Sequence, residues 1–128
     1  MEIRFRRSLA ALNIAGTVIA MGFAVAGMAD PSLLADGSGG APFYALVYGA
    51  RAIPLGAATI ALFALGRWSA LVPMLAVAGV VQAADALIGL RYGQPGMIFG
   101  GGSLAAVHLL SAWWIRRGLP SAWTVRTA

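Results

Sequence analysis

Cysteine and lysine are both missing from this 128-residue chain. Without cysteine there is no disulfide, no thiolate metal site, no thiol redox pair and no cysteine nucleophile. Charge is scarce: 10% of residues are charged, against about 25% in a typical water-soluble domain. That is too little to cover a surface in water. A single histidine excludes, within one chain, a metal centre needing several imidazoles or a pair of haem-ligating histidines. No metal and no cofactor is expected. Basic residues form no stripe with interleaved aromatics, so the net charge of +5 does not point to nucleic acid.

What is present is apolar. Hydrophobic residues make up 60% of the chain, and its mean hydropathy is +0.83. Four apolar stretches stand out, at Leu9–Met28, Phe43–Leu65, Ala70–Leu90 and Met97–Ile115. Each is near the ~20 residues a helix needs to cross hydrocarbon about 30 Å thick. The stretches are too long for barrel strands and do not alternate polar with apolar. The expected fold class is therefore all-α: an integral membrane four-helix bundle forming a single domain over residues 1–128. "RFRR" followed by an apolar run has the outline of a signal peptide, but the run exceeds the usual h-region and is read as a retained anchor.

The boundaries are punctuated. "MADPSLLADGSGGAP" closes helix 1 and makes the longest loop. In "GRWS", Gly66 stops helix 2 and Ser69 offers an N-cap for helix 3, with Pro73 in its first turn. "RYGQPG" turns helix 3 into helix 4. Arg4, Arg6, Arg7, Arg67, Arg116, Arg117 and Arg126 fall on one side of this layout. Arg91 falls on the other, with Asp30 and Asp36. The positive-inside rule then puts both termini in the cytoplasm and the chain, multi-pass, in the inner (plasma) membrane. Trp68, Trp113, Trp114 and Trp123 form one aromatic belt, and Tyr44, Tyr48 and Tyr92 the other.

The chemistry-bearing residues are the few polar ones inside the apolar runs. At about 1.5 Å per residue, Arg51 lies about 12 Å below the outer boundary, Asp85 about 8 Å and His108 about 16 Å. Gln82 is one turn from Asp85 on the same face, and Thr17 falls near the level of His108. An arginine at a helix centre costs about 2.5–3.5 kcal/mol on insertion scales, which the apolar residues of helix 2 nearly offset. Arg51 should thus avoid lipid and find a partner. Asp85 is the only carboxylate in any of the four stretches, so an Arg51–Asp85 ion pair is expected. Pro54 should kink helix 2 beside it. Gly49, Gly56 and Gly89 bracket the pair with small residues, and "GGGS" at Gly100–Ser103 opens one side of helix 4. Tyr44 and Tyr48 stack above Arg51, and Tyr92 lies two turns above Asp85.

Each of these has a structural reading beside the functional one. The ion pair can serve only to fix helix register. His108 can serve only as a hydrogen-bond donor, and the glycine run only as a close helix contact. On the functional reading, Asp85, His108 and Arg51 are candidate catalytic residues. Tyr44, Tyr48, Gln82, Tyr92 and Thr17 are candidate ligand-binding residues. Arg51 would hold a carbonyl or oxyanion, Asp85 would set Arg51, and His108 would exchange protons near neutral pH.

The segments "GARAIPLG", "QAADALIG" and "AVHLL" together resemble small four-helix bacterial membrane proteins of the DoxX-like kind, and more closely a related family known only as a domain of unknown function. The resemblance spans about Leu9 to Ile115. It implies an arginine with a downstream Leu-Gly in helix 2, an acidic residue in helix 3 and a polar residue or histidine in helix 4. DoxX relatives are linked to quinone-dependent sulfur oxidation beside a partner chain.

Three functions remain open. One is a polar pocket binding or converting a small lipophilic molecule by acid–base chemistry, as in an isomerase, cyclase or epoxide-opening hydrolase. Another is an accessory or quinone-contacting subunit of a membrane complex. The third is a small proton-coupled exporter, weakened because helix 1 offers only Asn13 and Thr17 and no carboxylate. The expected partners are membrane lipid, a lipophilic small molecule, and a second copy or a partner membrane subunit. Enzyme or binding protein is not decided at this level.

Overall fold

A computed structural model describes residues 3–33 and 41–119. The described chain is helical throughout: α1 (Ile3–Ala29), a 3-10 turn at Pro31–Leu33, α2 (Ala41–Ala64), α3 (Trp68–Tyr92) and α4 (Pro95–Gly118). All four helices are long and apolar enough to cross a membrane. Each expected stretch is found: α1, α3 and α4 run further, mainly into polar and aromatic residues, because a helix does not stop where hydropathy falls, while α2 starts two residues earlier and ends one earlier than expected.

The turns follow local chemistry. Gly66 and Gly93 both sit at φ +63°, the left-handed conformation that glycine adopts without steric cost. Arg67 N–H donates to Leu62 O at 3.0 Å, and Gln94 N–H to Gly89 O at 2.8 Å, the wide bond of a Schellman turn. Ser69 is not the N-cap of α3. That position is Arg67, whose carbonyl accepts from the N–H groups of both Ala70 and Leu71 at 3.1 Å. The glycine turn delivers the chain into the helix two residues early. Pro73 consequently lies in the second turn, where its missing N–H leaves the Ser69 carbonyl without its usual donor. α2 is helical straight through Pro54, whose ring lies on the exposed side.

α1 packs mainly on α2 and α3 mainly on α4. Looser α2–α3 and α1–α4 seams close the ring, and among the described residues the diagonal helices make no backbone approach. Arg4, Arg6, Arg7, Arg67, Arg116 and Arg117 gather at one end, and Arg91 stands at the other. At the arginine-rich end, Phe5 meets Trp114 at 5.4 Å, Arg6 lies 5.1 Å from the Trp68 ring, and Arg117 lies 3.8 Å from that of Trp113. These contacts fit an interfacial belt. Asp36, Trp123 and Arg126 lie outside the described residues.

The bundle is apolar outside and partly polar inside. Leu12, Ile19, Phe23, Phe43, Leu87 and Phe99 are exposed, while Asn13, Thr17, Thr59, Asp85, His108 and Ser111 are buried. A water-soluble bundle places these classes the other way round, so the distribution suits a lipid solvent and a multi-pass membrane protein. The two halves differ. Toward the arginine-rich end, Leu9, Phe63, Leu71, Leu75, Ala112 and Ile115 form a closed apolar core. The polar side chains begin above it.

Candidate functional site

α2 and α3 bring Arg51 and Asp85 together as their depths require. Arg51 Nη2 lies 2.5 Å from Asp85 Oδ1. The carboxylate side chain is 4% exposed and the guanidinium side chain 30%, so the arginine is the accessible half of the pair. Asp85 Oδ2 is buried with no hydrogen-bond partner among the described residues. The guanidinium carbon lies 5.9 Å from the Tyr48 ring centroid, at the outer range of a cation–π contact. Tyr44 stacks on Tyr48 at 6.2 Å, and the Tyr48 hydroxyl donates to the Ala20 carbonyl of α1 at 3.4 Å.

Two cavities meet at Asp85. The inner one is small, about 30 Å³, and its walls include Thr17, Arg51, Thr59, Gln82, Asp85 and His108. The outer one, about 450 Å³, is lined by Tyr44, Tyr48, Gln82 and Asp85 and by apolar residues of α1 and α4 such as Phe23, Met97 and Leu104. Ala20, Tyr48, Gln82 and Asp85 border both. The outer volume falls in the usual range of ligand pockets, about 300–1,000 Å³. Its walls on α1 and α4 flank the seam where neighbouring helices pack least closely.

His108 is held from α1. Its Nδ1 lies 2.9 Å from Asn13 Oδ1, while Asn13 Nδ2 donates to Leu9 O and to Ser111 Oγ, both at 2.8 Å. All three side chains are buried. Thr17 Oγ1, also buried, has no partner among the described residues. Thr59 donates back to Leu55 O at 2.8 Å and is satisfied within α2.

The structure thus places Arg51, Asp85, His108, Gln82, Thr17, Tyr44 and Tyr48 around two adjoining cavities. Tyr92 is not among them. It is the last residue of α3, 70% exposed, and lines neither cavity. It keeps the helical phase of Asp85, but at the helix end it is left exposed among the described residues. Asn13 and Ser111 were not anticipated as site residues. Their signal was the spacing: Asn13 precedes Thr17 by one turn, and Ser111 follows His108 by three. Gly89 and Gly101 act as close helix contacts. A Cβ on Gly101 would lie 2.8 Å from Gln82 O, and one on Gly89 would lie 3.0 Å from Ile98 N. Among the described residues no group of three metal-ligating side chains occurs.

Comparison with known proteins finds no match: no family model, curated protein or solved structure is similar to this chain.

Proposed function

We propose that this is an inner-membrane protein whose bundle, with both termini in the cytoplasm, binds a small lipophilic molecule through the Arg51–Asp85 site and converts it by acid–base chemistry. The observation that carries this is the Arg51–Asp85 pair lining a small polar cavity, with Asp85 also lining the pocket-sized groove beside it. Intramembrane charge is costly and usually functional, and here it adjoins a cavity far larger than a structural lock requires. The apolar groove takes the tail of the molecule. Arg51 polarises a carbonyl, hydroxyl or epoxide oxygen. His108 accepts or returns the proton.

Purification in native lipid, followed by mass spectrometry of bound small molecules and a structure, tests this. A defined lipophilic species should copurify with the wild-type chain, with density between Tyr48, Arg51, Asp85 and His108. The charge-balanced double variant Arg51→Ala, Asp85→Ala should lose it. Bulk phospholipid alone in both proteins would sink the reading.

The DoxX-like resemblance supports a second reading, an accessory subunit beside a partner chain. Gly96 and Gly100, one turn apart on one face of α4, favour it, since a Cβ on either would meet nothing within 4 Å among the described residues. That leaves α4 a low strip on which another helix can seat. A stoichiometric partner chain in the same purification would support it over the first.

A further inference from the structure

The hydrogen bonds around His108 specify more than a site for something lipophilic. The Leu9 carbonyl can only accept, so the Asn13 atom 2.8 Å from it must be the amide nitrogen. The second amide hydrogen goes to Ser111 Oγ. Asn13 Oδ1 is therefore the atom that faces His108 Nδ1 at 2.9 Å, and Nδ1 must donate. In the neutral imidazole this leaves the lone pair on Nε2. Nε2 has no hydrogen-bond partner among the described residues, and the ring lines the inner cavity.

On the diagonal helix, Arg51 lines the same cavity. A guanidinium carries five N–H donors. One donates to Asp85, and the others have no hydrogen-bond partner among the described residues. The inner cavity thus offers donors from α2 and an acceptor from α4. At about 30 Å³ it holds one small oxygen-bearing group, since one water needs roughly 10–15 Å³.

We propose that the inner cavity selects a neutral hydroxyl head group on an otherwise apolar ligand, the hydroxyl accepting from Arg51 and donating to His108 Nε2. This rests on the ligand-site reading above and names its substrate class. The competing head groups each fail on one wall. A carboxylate brings a second negative charge beside Asp85 and sets lone pairs against Nε2. An ammonium meets the Arg51 cation. A ketone satisfies Arg51 and leaves Nε2 unpaired. The groove outside, walled by Ile19, Phe23, Leu33, Met97 and Leu104, accommodates the chain that carries the hydroxyl.

The test uses the full chain in lipid nanodiscs and a long-chain alcohol bearing a diazirine, with incorporation mapped by mass spectrometry. Competitors are dodecanol, dodecanoic acid, dodecylamine and a chain-matched methyl ketone, with concentrations expressed per lipid. Label should concentrate on α1 and α4 along the groove. Dodecanol should displace it at roughly tenfold lower concentration than the others, the scale of one buried polar group left unpaired. In His108→Leu, alcohol and ketone should compete equally. Wild-type displacement by the acid, amine or ketone as readily as by the alcohol overturns the hydroxyl assignment and leaves the ligand site standing. Label spread evenly over the lipid-facing sides of all four helices, displaced by none of the competitors, overturns both.

Discussion

Arg51 and Asp85 depend on each other inside the bundle. Either charge alone inside the bundle is a liability, and each is made tolerable by the other. Arg51→Ala strands a carboxylate that is 4% exposed and has one oxygen already without a partner. It should lower the thermal midpoint more than Arg51→Ala combined with Asp85→Ala does, measured in the same detergent. Removing one partner of a buried pair costs about 3–5 kcal/mol, while replacing both is often near neutral. Equal damage from the single and double variants would show that the residues act independently. This pair was legible in the sequence because the stretches hold one carboxylate, at a depth an arginine can span. The Asn13–His108–Ser111 group was not. Its members are 95 and 98 positions apart along the chain, and depth alone does not say which helix faces which. Tyr92 failed the opposite way: its phase was right, but burial depends on what stands opposite.

At the scale of the element, the four helices were legible from length and hydropathy, whereas their seams were not. The α3–α4 seam is close because glycine lets backbone meet backbone. A Cβ on Gly101 would lie 2.8 Å from Gln82 O and 3.1 Å from Ala86 N, neither of which can swing away. Gly101→Ala should therefore push α4 off α3 and lower the thermal midpoint, by about 1–3 kcal/mol of stability, as overpacking does. Gly100→Ala, with nothing within 4 Å, should leave the midpoint unchanged. Two equal midpoints would mean that the seam is set elsewhere. Because Gln82 also borders both cavities, a shifted seam should change ligand occupancy along with stability. The sequence marked "GGGS" as a place of close approach or opening, and the structure divides those roles. Gly101 makes the contact, and Gly100 borders the groove.

At the scale of the whole molecule, the bundle is asymmetric from end to end, and two predictions follow from that asymmetry. The polar cavities stop at the apolar core formed by Leu9, Phe63, Leu71, Leu75, Ala112 and Ile115. Leu71 and Leu75 are fully buried, and such a packed apolar layer excludes water. Protons should reach His108 from one face only. Proteoliposomes carrying the protein should thus dissipate an imposed pH gradient no faster than empty ones; faster decay would favour the exporter reading over a one-sided site. Which face is open depends on orientation. Six described arginines gather at one end and one at the other, and the excess of arginine near short loops sets the cytoplasmic side. The chain has no native cysteine, so single cysteines report their own position without a background. Tyr92 and Leu65 are each 70% exposed and stand at opposite ends. In intact cells a membrane-impermeant maleimide should label Tyr92→Cys, and should label Leu65→Cys only after the membrane is opened. The reverse pattern would place the arginine-rich end outside. The cavities would then face the cytoplasm, and a ligand would enter from the inner leaflet.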